Sequence, residues 1–280
     1  MAHSPLLDGH AVSRVPVTTP RTLLITGASS GIGLELARTL AANGHSLVIV
    51  ARDEARLKAV AAQLESDYGV PVTWHAKDLS EPRAADDLWS DLSKANIIID
   101  VLVNNAGVGL YGDFQDESLD AVRRMQMINV VALTTLTRLA LPGMLARHRG
   151  RILNVASMVG YQPGGPRMAV YYATKSYVLS FSKGIARELD GSGVSVTALC
   201  PGLTKSAFEE KSGAQETRLY RLVPQMTASA VAMAGYRAMM RGRRVVIPGV
   251  ISKILAFAGE LPPRTIALEV NRFLLNRAAW

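Results

Sequence analysis

The sequence has a single cysteine, few aromatic residues and few charges for its length. Of its 280 residues, 6% are aromatic and 19% are charged, whereas 49% are hydrophobic. This composition excludes a disordered chain, and the length allows a sizeable core in one domain or two. The lone cysteine, Cys200, excludes a disulfide framework and a cysteine-rich zinc site. We interpret it as a small buried apolar residue and predict no metal ligands.

Long uncharged apolar runs are also missing. No such run reaches the roughly 18 residues of a membrane-spanning helix. The N-terminus contains Asp8 and several polar residues instead of the apolar core of a signal peptide. We therefore expect a cytoplasmic protein in a reducing compartment.

The basic residues are scattered, although the net charge is +8. The only tight basic cluster contains Arg237, Arg241, Arg243 and Arg244. We interpret this cluster as a solvated turn, with a lipid or oligomer contact as the alternative. Nucleic-acid binding is not predicted, because no RNA-binding aromatic motif accompanies the cluster.

Short β-branched runs alternate with amphipathic helical stretches along the chain. The predicted strands cover 22–26, 47–50, 72–76, 97–103, 151–155, 194–199 and 244–247, and the predicted helices cover 31–43, 54–68, 81–95, 117–147, 168–190 and 227–241. The strands are almost entirely apolar, which is typical of strands buried on both faces. The alternation predicts a doubly wound α/β fold with a parallel sheet. We expect a loose extension at 1–20, one domain at 21–250 and a helical extension at 251–280.

A glycine-rich turn follows the first predicted strand and precedes the first helix. It consists of Gly27, Ala28, Ser29, Ser30, Gly31, Ile32 and Gly33. Glycine allows a positive φ and a close approach of the backbone to a ligand, and the helix N-terminus attracts an anion. The turn predicts a phosphate site, although its spacing differs from the G-x-G-x-x-G of the standard dinucleotide fingerprint. A tight turn without a ligand is the alternative.

The end of the second predicted strand indicates which dinucleotide is preferred. Ala51 stands at the strand end and cannot accept a hydrogen bond from a ribose 2′-hydroxyl, whereas Arg52 can clamp a 2′-phosphate. Asp53 could serve an NAD ribose, but it directly precedes a helix and we interpret it as the N-cap. We therefore predict NADP(H) in preference to NAD(H).

Tyr171 and Lys175 are four residues apart on a predicted helix and therefore share a face. An ammonium beside a phenol stabilises the phenolate and lowers its pKa from about 10. A tyrosine with such a pKa is a usable acid or base near neutral pH. An ordinary surface pair is the alternative. Tyr172 has Ser176 at the corresponding spacing and gains no cation.

These motifs, in this order, resemble those of the short-chain dehydrogenase/reductase family over about residues 21–250. The glycine turn resembles the family's cofactor turn. The other matching residues are Asp78 and Leu79 after the third strand, Asn104, Asn105, Ala106 and Gly107 after the fourth, Asn129 in the long helix, Ser157 after the fifth strand, and Pro201, Gly202, Leu203 and Thr204 after the sixth.

The resemblance implies a Rossmann-type fold and a reductase that transfers hydride from NADPH to a carbonyl carbon. Tyr171 would donate the proton, and Lys175 would lower the Tyr171 pKa and hold the nicotinamide ribose. Ser157 would orient the substrate oxygen, or alternatively cap a turn. Asn129 would hold a water in a proton relay, or alternatively satisfy buried backbone groups. Asn104 would in part tie neighbouring strands together.

The resemblance also places the remaining cofactor contacts and a departure from the family. The matching residues at 78–79, 105–107, 201–202 and 204 would contact the cofactor. Many NADP-preferring members carry a basic residue where this chain has Ser30, so Arg52 would act without the cation that those members have at that position.

An apolar substrate pocket is expected beyond the carboxyl ends of the strands. The predicted lining is Val108, Leu110, Met158, Val159, Met168, Leu203 and Phe208. An apolar ketone, aldehyde or secondary alcohol would suit it, and the alternative is that several of these side chains only close the core. The segment 203–223 is predicted to form a mobile lid.

The tail predicts two short amphipathic helices. Their apolar stripes are formed by Ile251, Ile254, Leu255 and Ala258, and by Ile266, Val270, Phe273 and Leu274. We expect these stripes to pack over the substrate cleft or against a second subunit, with contact to a membrane surface as the less favoured alternative. The family resemblance suggests a homodimer or tetramer built through 117–147 and 168–190.

Three functions follow from the sequence. The favoured one is an NADPH-dependent carbonyl reductase acting on a small apolar molecule. The second is a 3-oxoacyl-thioester reductase of lipid or polyketide metabolism. The third is an NADP-sensing binding protein without catalysis, which would be expected to lack part of the Asn–Ser–Tyr–Lys set.

Overall fold

The structure, a computed structural model, describes residues 21–206, 208 and 212–277. Seven parallel strands form the central sheet in the order β3-β2-β1-β4-β5-β6-β9. These strands are β1 (Thr22–Thr26), β2 (Ser46–Ala51), β3 (Val72–Ala76), β4 (Val101–Asn104), β5 (Gly150–Val155), β6 (Val194–Leu199) and β9 (Val245–Val246). The order reverses between β1 and β4, which defines a doubly wound, Rossmann-type sheet in a single domain. The predicted fold class is confirmed.

Helices cover both faces of this sheet. The α-helices of the described residues are α1 (Gly31–Ala41), α2 (Glu54–Tyr68), α3 (Ala84–Lys94), α4 (Leu119–Gln126), α5 (Leu133–Ala146), α6 (Ala169–Glu188), α7 (Arg218–Leu222), α8 (Ala228–Met240), α9 (Val250–Glu260) and α10 (Arg264–Leu274). Two short strands, β7 (Thr204–Lys205) and β8 (Met226–Thr227), pair separately. A π-helical segment, Met127–Ala132, joins α4 to α5.

Two apolar layers hold the helices on the sheet. Successive residues of a strand point to opposite faces, so Leu23 packs with α1, α2 and α8, whereas Leu24 packs with α3 and α5. Both side chains are fully buried. The continuous apolar runs of the sequence therefore reflect strands covered on both sides. Cys200 is buried among apolar side chains, as the sequence predicts.

The predicted strand at 97–103 begins four residues later than expected, at Val101. Ile97 instead closes the end of α3, because its N–H donates to the carbonyl of Leu92. Asp100 precedes β4 and accepts hydrogen bonds from the Thr22 N–H and from Arg149. The apolar residues 97–99 thus belong to the end of α3 and to the segment that leads into β4.

Among the described residues, the continuous helix Leu119–Ala146 is long and apolar enough to cross a membrane by length and composition. The same test is passed by core helices of soluble proteins. Here Leu133, Leu136 and Met144 are buried in apolar clusters of the core. The position of this helix is therefore that of a core helix.

The two helices of the tail form as predicted, and Leu255 and Leu274 of their apolar stripes pack against the apolar cluster around Tyr171. The stripe residues Ile251, Ile254, Ile266, Val270 and Phe273 are exposed in the chain, whereas the buried positions of these helices are Ser252, Ala256, Gly259 and Asn271. Gly259 leaves room for the side chain of Gln162, because a Cβ at this position would lie 2.5 Å from Gln162 Nε2. The predicted extension at 1–20 lies outside the described residues, as does Trp280.

Candidate active site

A cavity of about 680 Å³ lies where the strands end. Its wall includes the residues that follow β1, β2, β3, β4, β5 and β6, as expected at the carboxyl edge of a doubly wound sheet. The predicted cofactor residues that line it are Gly27, Ser29, Ser30, Gly31, Ile32, Arg52, Asp78, Leu79, Asn105, Ala106, Gly107, Tyr171, Lys175, Pro201, Gly202 and Thr204. The structure thus brings sixteen residues, from the segments after five strands and from α6, to one cavity.

The glycine turn is held against the sheet by Asn105. The Asn105 side-chain amide donates to the carbonyls of Thr26 and Gly27, at 2.9 and 3.1 Å. Gly27 has a φ of +67°, and a Cβ there would lie 2.8 Å from that amide nitrogen. Gly33 lies behind the cavity wall, where a Cβ would overlap the carbonyl oxygen of Gly27. These contacts explain why the turn requires glycine at both positions.

The N-terminus of α1 opens into the cavity without an internal partner for its first N–H groups. Ser30 is the N-cap, but its side chain makes no capping hydrogen bond, and the first turn of the helix contains no acidic residue. Free N–H groups and the helix dipole favour an anion at this position. The turn and helix therefore fit the pyrophosphate of a dinucleotide.

Two arginines meet one carboxylate at the far end of the cavity. Arg124 Nη2 lies 2.9 Å and Arg52 Nη1 3.9 Å from Asp78 Oδ2. Partial burial would raise the pKa of Asp78, but hydrogen bonds from Ser80 and Arg124 outweigh it and hold the pKa below its usual value. Arg124 also lines the cavity, so a second cation lies beside Arg52 although position 30 is a serine.

No motif in the sequence indicates Arg124, which enters the site from α4 and is distant in sequence from Arg52. Asp53 takes the role predicted for it: its carboxylate accepts from the Arg56 N–H at 3.0 Å and caps α2. The carboxylate of Asp53, the acidic residue after β2, is therefore engaged in capping α2.

Tyr171 and Lys175 are buried side by side on α6, but the electrostatics differ from the prediction. Burial raises the pKa of Tyr171 to about 12, while its hydrogen bond with the Ser157 hydroxyl acts in the opposite direction. Burial also lowers the pKa of Lys175 to about 8. The Lys175 ammonium donates to the carbonyl of Val155 at 2.9 Å and lies 5.8 Å from the centroid of the Tyr171 ring. Desolvation dominates both groups, so the predicted lowering of the Tyr171 pKa is wrong for this structure.

Ser157 follows β5 and has two local partners besides the phenol. Its Oγ accepts from the N–H of Val159 at 3.3 Å and donates to the carbonyl of Pro201 at 3.4 Å. The serine therefore caps the short helical turn Met158–Tyr161 and points toward Tyr171 at the same time. The turn-capping role expected as an alternative is therefore present, and the hydroxyl also lies where it could orient a substrate oxygen.

Asn129 lies behind the wall, in the π-helical segment. Its Oδ1 accepts from the N–H of Val108 at 2.9 Å, and its Nδ2 donates to the Val108 carbonyl at 2.9 Å and to Thr174 Oγ1 at 3.0 Å. A Cβ on Gly107 would lie 3.4 Å from both Asn129 Oδ1 and Lys175 Nζ. Asn129 satisfies buried backbone groups, and its amide and the lysine border the same glycine.

Asn104 ties the sheet together, as predicted. Its Nδ2 donates to Asn154 Oδ1 of the neighbouring strand at 2.9 Å and to Thr137 Oγ1 at 3.0 Å. Asn154 in turn donates to Ser182 of α6 at 3.0 Å. This buried polar chain fixes α6, and hence Tyr171, relative to β4 and β5.

The apolar end of the cavity is beside Tyr171. All seven predicted pocket residues line it: Val108, Leu110, Met158, Val159, Met168, Leu203 and Phe208. The ring centroids of Phe208 and Tyr171 are 5.4 Å apart. The sequence missed Ser206, Tyr172, Leu219 and Tyr220 as lining residues. The predicted lid at 203–223 contains β7 and α7, and its residues 207 and 209–211 lie outside the described part.

Comparison with known proteins agrees with this geometry. The family model for short chain dehydrogenases matches residues 21–217. The ketoacyl reductase HetN of Nostoc sp. is 30% identical over 89% of this chain and 87% of its own length. The structure of a short-chain dehydrogenase from Sphingobium yanoikuyae in complex with NADPH matches with a TM-score of 0.77 and 34% identity, over 86% of this chain and 93% of that one. A bulky-bulky ketone specific alcohol dehydrogenase from Comamonas testosteroni matches with a TM-score of 0.72 and 30% identity, over 91% and 93%.

The fold and the site define an oxidoreductase. The chain belongs to the short-chain dehydrogenase/reductase family.

Proposed function

We propose that the protein uses NADPH to reduce an apolar ketone or aldehyde to an alcohol, and that it oxidises secondary alcohols in the reverse direction. The observation that carries this proposal is the position of Tyr171. Its phenol lies at the junction of the cleft that fits a dinucleotide and the apolar pocket. A proton donor is needed where a hydride donor and a carbonyl meet.

The roles of the side chains follow from their positions. The bound nicotinamide supplies the hydride that the carbonyl carbon accepts. Tyr171 donates its proton to the carbonyl oxygen and is reprotonated from solvent. With a pKa of about 12, its phenol is protonated at neutral pH, which is the state that reduction requires. Ser157 hydrogen-bonds the substrate oxygen, and Lys175 stabilises the negative charge that remains on the phenol.

The preference for NADPH rests on charge. Arg52 and Arg124 converge on one end of the cavity, and Asp53 is engaged in capping α2. Two guanidinium groups favour a 2′-phosphate, which each can contact through charge-assisted hydrogen bonds. The NADPH complex of the Sphingobium relative supports the same cofactor.

An apolar carbonyl compound is the proposed substrate because hydrocarbon side chains surround Tyr171. The Comamonas relative, whose name specifies bulky ketones, supports this class. A 3-oxoacyl thioester is the second candidate, supported by the ketoacyl reductase HetN. A purely sensory role is not favoured, since Asn129, Ser157, Tyr171 and Lys175 all meet at the site.

A screen of substrates tests these alternatives. NADPH consumption is followed with apolar ketones, with aldehydes and with 3-oxoacyl thioesters at equal concentration. We expect turnover with the ketones. Turnover restricted to the thioesters would favour the second candidate, and tight NADPH binding without any turnover would favour a sensor.

We also propose a cytoplasmic homodimer or homotetramer assembled through α5 and α6. Val131, Leu145 and Tyr177 are exposed at 43%, 36% and 39% on this part of the surface. The Tyr177 ring stacks on Phe181 at 5.8 Å, which gives a flat aromatic surface. Sedimentation velocity of the purified protein tests the assembly.

A further inference from the structure

A second cavity of about 320 Å³ lies beside the active site, under the tail helices α9 and α10. Its volume is within the range of small-ligand pockets, which is about 300–1,000 Å³. The described residues that line it are Met158, Val159, Gln162, Tyr172, Leu219, Leu255, Ala258, Gly259, Leu261, Pro262, Pro263, Ile266, Ala267, Val270, Asn271 and Leu274. None of these residues carries a formal charge.

The two amide side chains of this lining are engaged in holding the tail in place. Gln162 Nε2 donates to the Leu255 carbonyl at 2.7 Å. Asn271 Nδ2 donates to Gln162 Oε1 at 3.2 Å and to the Gly164 carbonyl at 2.7 Å. These bonds fasten α9 and α10 to the loop after Ser157. They also leave a lining whose free surface is mainly hydrocarbon, which suits an apolar occupant.

The second cavity adjoins the active site, because the two cavities share four lining residues. Met158, Val159, Tyr172 and Leu219 line both. Met158 follows Ser157 in sequence and Tyr172 follows Tyr171, so the shared wall begins next to the two groups that contact the carbonyl oxygen. Met158 is also a flexible side chain, which adapts to an apolar neighbour.

The outer end of the second cavity reaches the surface. Ile266 and Leu261 line it and are exposed at 62% and 47%. A hydrocarbon that extended from the active site through the cavity would cover both side chains. The exposed apolar face of the tail helices thus continues the lining of the cavity.

We propose that the second cavity binds the longer apolar arm of the substrate. This inference rests on the proposed carbonyl reduction and defines its substrate class. The substrate carries its carbonyl beside a small group, and on the other side bears an extended alkyl chain or a flat hydrocarbon ring system. Carboxylates and phosphates on the long arm are disfavoured, because no described residue of the cavity offers a counter-charge.

A series of methyl ketones from 2-butanone to 2-decanone tests the proposal. Each methylene that enters an apolar cavity should raise kcat/KM by up to about fourfold, until the arm is fully buried. Matched 3-oxoacyl N-acetylcysteamine thioesters show whether the arm belongs to a free ketone or to an acyl chain. If kcat/KM rises with chain length in only one of the two series, that series identifies whether the substrate is a free ketone or an acyl thioester.

The Ala267→Trp variant fills the second cavity from α10, outside the active-site lining. It should lower the ratio of kcat/KM for 2-decanone over 2-butanone by at least tenfold. The matched control is Thr265→Trp, which adds the same ring to an exposed position of α10 that lines neither cavity. The control should keep the wild-type ratio.

Binding of the alcohol product separates this inference from the proposed function. 2-Decanol should raise the Tm of the wild type more than 2-butanol does, and Ala267→Trp should lose most of this difference. If no carbonyl compound is reduced but the variant loses the 2-decanol shift, the proposed function fails and the cavity assignment stands. If ketones of every length are reduced equally and Ala267→Trp changes neither readout, the cavity assignment is overturned.

Discussion

Arg124 donates a 2.9 Å hydrogen bond to the carboxylate of Asp78, and this contact joins α4 to the loop after β3. The same carboxylate lies 3.9 Å from Arg52. Asp78 therefore orients two guanidinium groups that would otherwise repel each other. The charge at this end of the cavity therefore depends on residues from the loop after β2, the loop after β3 and α4.

The first prediction concerns Arg52. Replacing it with alanine removes one charge-assisted phosphate contact, worth about 1.5–3 kcal/mol, and should weaken NADPH binding roughly 10- to 150-fold. NADH binding should change little, because NADH has no 2′-phosphate. Titration with both cofactors measures this, with Arg56→Ala on α2 as a control. A wild type that binds NADH more tightly would contradict the assignment.

The second prediction concerns Arg124. Arg124→Ala should also weaken NADPH more than NADH, since it removes the second cation from the same end of the cavity. The neighbouring Arg123 pairs with Asp120 at the surface and does not line the cavity. Isothermal titration of Arg123→Ala should therefore give wild-type affinity. Equal effects of the two variants would show that only the overall charge matters.

The third prediction concerns the choice between two neighbouring tyrosines. Tyr171→Phe keeps the ring and removes the proton donor, so turnover should fall by at least about 10²- to 10⁴-fold while NADPH still binds. Tyr172→Phe should keep most of the activity with short ketones, because the Tyr172 ring only forms part of the apolar wall. Similar losses of turnover in both variants would contradict the assignment of Tyr171 as the proton donor.

The fourth prediction concerns the buried Lys175. Its pKa falls from 10.5 to about 8 on folding, so between these pH values the unfolded chain holds a proton that the folded protein has released. The free energy of unfolding should therefore rise with pH across this window, by up to about 3 kcal/mol. Below about pH 8 both states are protonated, and the cost of burying the charge is present in full.

Lys175→Met removes that cost. The variant should be more stable than the wild type at pH 7, and its advantage should shrink as the pH rises toward 10. Urea unfolding without cofactor at several pH values measures the difference. A constant difference from pH 7 to 10 would show that burial of the ammonium does not control its titration.

The fifth prediction concerns the tail. Truncation after Pro248 removes α9 and α10, which cover the loop from Met158 to Gly164. The truncated chain should lose solubility or activity even without lipid. Co-sedimentation of the intact protein with anionic vesicles, together with a truncated form that stays soluble and fully active, would make the tail a membrane anchor.

Local signals in the sequence predicted the parts of the site that lie within one segment. The glycine turn, the Tyr171–Lys175 pair and the capping role of Asp53 depend on the spacing of a few neighbouring residues. Arg124 and Leu219 were not predictable in this way, because their positions depend on how separate elements pack.

Two properties that depend on burial did not follow from the sequence: the pKa values of the Tyr171–Lys175 pair and the buried positions of α9 and α10. The spacing of Tyr171 and Lys175 gives their proximity but not the loss of solvent, which is the larger influence on both pKa values. The apolar stripes of α9 and α10 indicate helices correctly. They indicate the inward positions only in part, since Leu255 and Leu274 pack on the cluster around Tyr171 while the small residues Ser252 and Gly259 are also buried.

The π-helical segment Met127–Ala132 determines how the two halves of the helix that contains it are oriented. A π turn contains one residue more than an α turn, and each residue of an α-helix turns the chain by about 100°, so winding the same residues as a regular α-helix would rotate one half of the helix against the other. Arg124 would then leave Asp78, or Leu136 would leave the sheet. The winding of this helix, as much as the identity of its residues, therefore sets how its two ends are oriented relative to each other.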